Sequence, residues 1–323
     1  MKVKLNFVQS ALLVAGFVCS AQVFAAGAAI NEKRAVSSNE KIQINNMRGV
    51  VNIVAVDKAE FSVQGTLDEK AKGFDLTSKN GITKFEVKMP SRVYSDYNED
   101  EQEVGSRLEI RVPVGSQVEF TGVNADVTAS GIQGGTTLTS VNGTVVGEKL
   151  GSDVSLETVN GTINSKNNSG RVTLQTVNGE ITDEGSQGRL TLESVNGEIK
   201  STSQAIEVEL SVVNGEGRLQ LDGTERLEFD SVNGEITVDL KNSQTPKIEA
   251  STVSGSIRLT LDANVKARFE LSGSAGGDID NGLTDDKVEH AKYGPSRDLE
   301  FSTGSGGDVE ISTVSGEIEL KKR

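Results

Sequence analysis

The chain has 323 residues, a formal charge of -14, one cysteine, 35 glycines and no tryptophan. So acidic a surface repels nucleic acid and anionic lipid headgroups, and suits cationic partners, divalent ions or plain solubility. With three Tyr and ten Phe beside plentiful Val, Ile and Leu, the composition describes a narrow β-rich interior with many turns, not a wide globular core.

Residues 1–25, MKVKLNFVQSALLVAGFVCSAQVFA, read as a secretory signal peptide: Lys2 and Lys4 precede an apolar run, and Val23-Phe24-Ala25 fits cleavage after Ala25. Gln9, Ser10, Ser20 and Gln22 bracket that run at about half the roughly 20 apolar residues a membrane anchor needs. Cys19 lies inside the leader behind the bulky Val18, which argues against lipid attachment. The processed chain is thus expected to lack cysteine, disulfides and any transmembrane segment, and to be exported to the periplasm, the cell surface or the medium of a bacterium.

From residue 26 to 120 the pattern is a less regular N-terminal β region and cap. IQINNMRGVVNIVAV alternates well, FSVQGTL and TKFEVKM follow, and LEIRVPVGSQVEF leads into the first regular unit. Between TKFEVKM and LEIRVPV, the acidic SRVYSDYNEDEQEVGS carries Tyr94 and Tyr97, a small aromatic platform at best and otherwise a solvated loop.

Residues 121–323 carry a repeat. The valine that opens each copy falls at Val123, Val141, Val159, Val177, Val195, Val213, Val232 and Val253, with spacings of 18, 18, 18, 18, 18, 19 and 21. The pattern of a period is V-N-G-x-I, a polar turn, then an alternating strand such as RVTLQT or RLTLES, which marks short strands with one buried face. Two all-β architectures fit. Asn-Gly could close two-residue hairpins, since Asn and Gly best tolerate the positive φ of a type I′ turn, giving an antiparallel meander. Alternatively each period is one coil of a single-chain β-solenoid.

The constant period favours the solenoid. An 18-residue coil at about 3.3 Å per residue traces a loop of about 59 Å around a thin aliphatic core, and successive coils stack about 4.8 Å apart. The predicted corners are then Asn142-Gly143, Asn160-Gly161, Asn178-Gly179, Asn196-Gly197, Asn214-Gly215 and Asn233-Gly234, with their amides stacked in a ladder. A polar insertion, 281–301, interrupts the end of the repeat before STVSGEIEL returns. That insertion and Lys321-Lys322-Arg323 are candidate capping material against further strand pairing.

The run LEIRVPVGSQVEF, the repeated SVNGxI and TVNGxI units and the closing STVSGEIEL resemble the putative-adhesin domains of unknown function found in exported bacterial proteins, also described as toastrack-like. The likeness covers about Ile42 to Leu320. It implies a β-solenoid envelope protein without an established set of catalytic residues.

No constellation in the chain points to chemistry. His290 is the sole histidine, in the polar VEHAKY, without a nucleophile turn to serve. Glutamates such as Glu157, Glu180, Glu193, Glu198, Glu207, Glu216 and Glu235 would come close on adjacent coils merely through stacking. The column Glu180, Glu198, Glu216, Glu235 sets like charges one coil apart, a cost unless basic neighbours or a cation offset it. GSAGGDIDNG and STGSGGDVEIS fall short of a tandem calcium-roll nonapeptide, so no cofactor is expected beyond weak calcium binding.

The expected function is a non-enzymatic envelope scaffold or adhesin-like binding surface whose partner is an envelope polysaccharide or protein. The competing readings are a polysaccharide-active enzyme and a partner subunit of an envelope sensing or assembly complex.

Overall fold

A computed structural model describes residues 27–90 and 105–323; the leader 1–25 with Cys19, and Tyr94 and Tyr97, lie outside the described residues. Local alternation sets the strands. In RVTLQT, Val172 and Leu174 are fully buried while Arg171 is exposed, the one-sided burial that period-two patterning demands.

The amino end holds β1 (Ala29–Ala35), β2 (Lys41–Asn45), β3 (Arg48–Val56), β4 (Glu60–Thr66), β5 (Phe74–Lys79), β6 (Ile82–Val87) and β7 (Ser106–Pro113). The middle is β8 (Gln117–Ser130), β9 (Thr136–Glu148), β10 (Asp153–Lys166), β11 (Ser169–Asp222) and β12 (Arg226–Lys241). The carboxyl end adds β13 (Lys247–Thr252), β14 (Ser256–Leu261), β15 (Ala267–Gly273), β16 (Asp278–Asn281), β17 (Glu289–His290), β18 (Arg297–Ser302), β19 (Gly307–Thr313) and β20 (Glu317–Lys322).

Every pairing from β8 to β12 is parallel and in register. Leu138, Leu156 and Leu174 stand opposite one another, as do Val145, Ile163 and Ile181. The chain is therefore a β-solenoid. A hairpin meander would pair sequence neighbours antiparallel, whereas here residues 18 apart pair parallel. Each coil runs along one wall, bends at V-N-G, continues along a second wall and returns through a turn. In the return of β9 to β10, Lys149 and Ser152 take φ of 54° and 68°. The two walls line one aliphatic core, where each buried Leu or Ile contributes about 2 kcal/mol.

At both ends the order in space departs from the order along the chain. The coil of β2 and β3 lies between β8 on one side and β6 with β7 on the other, all parallel. The final coil, β19 and β20, likewise lies between β13 with β14 and β15 with β16. Antiparallel strands then close the stack: β4 on β7, β1 on β4 and β5 on β6 at one end, β18 on β15 and β17 on β18 at the other.

The stretch 281–301, expected as an insertion, thus ends in a strand of the cap. In DLEFS, Leu299 and Phe301 point inward and Phe301 stacks on Phe269 at 4.5 Å between ring centroids. Rings also fill the amino cap, where Phe61 and Phe74 both contact Phe85. There the Arg48 guanidinium holds the buried Asp68 carboxylate through two bonds of 2.9 Å.

Candidate interaction face

The V-N-G bend does not need the left-handed backbone that an Asn-Gly hairpin requires. Gly143 and Gly215 have φ of 144° and 147°, but Gly161, Gly179, Gly197 and Gly234 are outside the positive range. Close approach is the reason for glycine. A Cβ on Gly179 would lie 1.8 Å from the carbonyl oxygen of Gly161, and one on Gly197 equally close to that of Gly179. Any side chain at the bend would push successive coils apart.

The neighbouring asparagines bond along the stack. Asn142 donates to Asn124 at 2.7 Å, Asn160 to Asn142 and Asn178 to Asn160 at 3.0 Å, and Asn196 to Asn178 at 2.9 Å. Asn214 and Asn233 continue the ladder at 3.1 Å, and the Ser254 hydroxyl donates to Asn233 at 2.7 Å. A primary amide has two N–H groups and two acceptor lone pairs, so each rung keeps one donor and one acceptor for an outside partner.

The valines of the bend face solvent. Val141, Val159, Val177, Val195, Val213, Val232, Val253 and Val314 are 36 to 47% exposed and form one column over eight successive coils. Hydropathy alone suggests that a valine recurring in register belongs to the core. The bend breaks the alternation, because Thr158 is buried while both Val159 and Asn160 are outside. A clue in the sequence is that two outward residues, Val and Asn or Ser, follow the inward residue at each bend, which is Ser or Thr in most copies and Val212 in one.

Beside the valines runs the column Thr139, Glu157, Gln175, Glu193, Ser211, and the groove between the two columns holds about 330 Å³. Gln175 donates to Glu193 at 2.9 Å. Across the strip the order is therefore carboxylate-bearing column, valine column, amide ladder.

Further along this wall the register lines up Glu209, Glu228, Glu249, Glu310, Glu270 and Glu300 one coil apart. Arg226 pairs with Glu228, and Arg268 with Glu270 and Glu300, which leaves the row strongly acidic around Glu249 and Glu310. The second wall is different. Lys200 bridges Glu180 at 3.1 Å and Glu198 at 2.8 Å, Arg218 bridges Glu198 and Glu216, and Arg258 reaches Glu235 at 2.7 Å. The hydrogen bond from Lys200, above all, holds the Glu198 carboxyl below its ordinary value.

One carboxyl has the opposite environment. Asp183 is buried at the far end of the second wall and accepts from Ser165 at 2.7 Å, Ser186 at 2.5 Å and Ser201 at 3.0 Å. Burial pushes this carboxyl above its ordinary value, against the lowering effect of the three hydroxyls. Asn168 extends the network by donating to Ser165 at 2.9 Å and to the Gly147 carbonyl at 3.0 Å.

The remaining candidates are scattered. His290 is exposed on β17, opposite Arg297. GSAGGDIDNG forms the turn into β16, where Asp278 pairs with Arg297, and STGSGGDVEIS links β18 to β19. Among the described residues no group of three or more His, Cys, Asp or Glu is placed to hold a metal ion. Among them also, no helix is long and apolar enough to cross a membrane.

Stacked parallel coils, capped ends and a recurring glycine bend define the molecule as a capped parallel β-solenoid. A family model described as Toastrack DUF4097 matches residues 39–321, and the chain belongs to that family. Solved structures with some likeness include a putative cell adhesion protein from Clostridium sporogenes, 12% identical, with 92% of this chain and 100% of that one covered at a TM-score of 0.25. Another is a putative adhesin from Bacteroides fragilis, 13% identical, covering 92% of this chain and 97% of that one at a TM-score of 0.37. A third is a putative lipid binding protein from Parabacteroides distasonis, 13% identical, covering 93% and 99% at a TM-score of 0.41. A comparison with curated proteins gave no match.

Proposed function

We propose that the chain is an exported, non-catalytic scaffold of the bacterial envelope whose outer wall is an adhesin-like binding surface. The observation that carries this reading is the continuity of the wall outside the valine strip: groups of one chemical kind recur coil after coil, as in the row Glu209, Glu228, Glu249, Glu310, Glu270 and Glu300. Such an array suits an extended partner, contacted weakly at each coil and strongly in sum.

The electrostatics weigh against glycoside hydrolysis. That reaction needs an accessible acid whose affinity for its proton is raised, beside a second, ionised carboxylate. Among the described residues the carboxyl with a raised value is Asp183, sealed in the core, while Glu109, Glu119, Glu198 and Glu319, toward the outside, are lowered. Export rests on the leader-like residues 1–25.

The test is to incubate the purified protein with envelope and extracellular polysaccharides, with and without calcium, scoring retention and product mass together. Retention without shortening supports the reading. Shortened products overturn it, and retention only with calcium would assign the acidic columns a cation as well.

A further inference from the structure

We propose that the valine column is a self-association surface that pairs two copies of this chain side by side, about a two-fold axis parallel to the stacking axis. This goes beyond the binding-scaffold reading and does not depend on it. Eight valines in an unbroken line, each 36 to 47% exposed, are unusual on a chain of charge -14, whereas the other exposed large apolar side chains, such as Val50, Ile82 and Ile206, belong to no such line. Monomeric proteins rarely leave contiguous apolar patches of more than a few hundred Å² uncovered.

The period selects the occupant. Coils repeat at about 4.8 Å, whereas side chains on one face of an extended peptide repeat every two residues, at about 6.7 Å. A peptide laid along the column would fall out of step within about two coils. A second copy carries the same column at the same spacing, so valine meets valine at every level. Eight coils make a strip about 38 Å long, and the three columns, at positions such as 157, 159 and 160, span about 10 Å of chain and about 15 Å with the breadth of their side chains. That area, roughly 600 Å² per copy, is about three quarters of the roughly 800 Å² per partner of a standard specific interface.

The column order selects the arrangement. With the two-fold axis along the stack, the Glu157, Gln175 and Glu193 column of one copy faces the Asn160, Asn178 and Asn196 ladder of the other, whose spare N–H groups can bond the carboxylates. With the axis across the stack, Glu would face Glu between two acidic chains. The parallel pair satisfies the polar flanks, and the crossed pair does not.

The experiment measures mass by sedimentation equilibrium from about 1 to 100 μM, at low and high salt, for the parent and for the double variant Val177→Asp, Val195→Asp. The expected result is a dimer that strengthens with salt, as like-charged copies are screened. The variant should dimerise at least about tenfold more weakly while keeping the parent's β-sheet circular dichroism spectrum, which shows that it still folds. A parent monomeric throughout the range, or a variant that dimerises as well as the parent, overturns the proposal.

For the arrangement, single cysteines replace Val159, Val195 or Val232 in a Cys19→Ser background. All three cross-linking to their own counterparts supports the parallel axis. Cross-linking at one level only would place the axis across the stack and overturn the arrangement. Polysaccharide retention measured on the double variant keeps the two proposals separate, since a monomer that still binds leaves the scaffold reading standing.

Discussion

The regular middle and the two ends of this solenoid are built by different rules. From β8 to β12 each coil rests on the coil 18 or 19 residues before it, and its asparagine bonds are of that same separation. At the ends the partners are remote: Gln43 donates to Glu119 at 2.8 Å, 76 residues away, and Arg258 bonds Glu319, 61 residues away. A stack that simply stopped would expose a row of unpaired N–H and C=O groups on its last strand. Here the terminal coil at each end is paired on both sides, and antiparallel strands cover what lies beyond. The outermost strands are short or charged, as in the four-residue β16 with Asp278 and Asp280 and in β1 with Glu32, Lys33 and Arg34. The middle is thus held by repetition and the ends by threading.

The largest expected effect comes from removing residues 307–323. If the ends depend on threading, this deletion empties the layer between β13 with β14 and β15 with β16, not merely the last rung of a pile. Its loss should lower the melting temperature by more than about 10 °C and expose residues 267–302 to protease. A truncated chain that melts within a few degrees of the parent would show the ends to be ordinary rungs.

In the middle, Gly179→Ala should cost about 3 kcal/mol, because the added carbon meets the Gly161 carbonyl at 1.8 Å and both coils must shift. Gly223→Ala is the control: nothing lies within 4 Å there, and only its φ of 76° opposes a side chain, at about 1 kcal/mol. Denaturant titration of the two variants checks the order, and equal costs would assign the bend to backbone conformation and not to close stacking.

Asp183 supplies a pH-dependent comparison. Its raised value means that the folded chain holds the proton more tightly than the unfolded one. The stability this adds is complete below the ordinary carboxyl value and is lost as pH rises through the raised one. Asp183→Asn should therefore melt several degrees above the parent at pH 7, with the gap closing toward about pH 4. A gap that widens in acid would reverse the sign.

The smallest effect concerns the amide ladder. Asn178→Asp loses the donation to Asn160 and places charge in an amide stack, whereas Asn124 only accepts in the ladder, so Asn124→Asp keeps its bond. The first should cost about 0.5 to 1 kcal/mol and the second close to nothing, since both amides are exposed. Equal shifts in thermal melts would remove the ladder as a stabilising element.

Much of the middle is legible from residues such as Leu156, Ile163 and Asn160, because parallel stacking puts each beside its own copy and the period alone identifies the neighbour. The role of Gly161 and Gly179 is less legible: Asn-Gly suggests positive φ, and only the distance between coils shows that a carbonyl occupies the space of a Cβ. Asp183, in the polar stretch TDEGSQ, looks like a surface turn until Ser165 and Ser201 from the coils on either side close over it. The valine column is hidden for a related reason, since hydropathy reports what a side chain prefers and not which side of a bend it occupies.

By itself the amino-acid sequence determined an all-β repeat of 18 residues and its aliphatic columns, because these depend on contacts between positions of fixed spacing. Only the tertiary structure decided where the terminal coils lie. TVSG occurs at both 252–255 and 313–316, and either copy would pair equally well with a regular rung. Which layer each fills depends on closing the two ends of the stack, a condition set by the whole molecule.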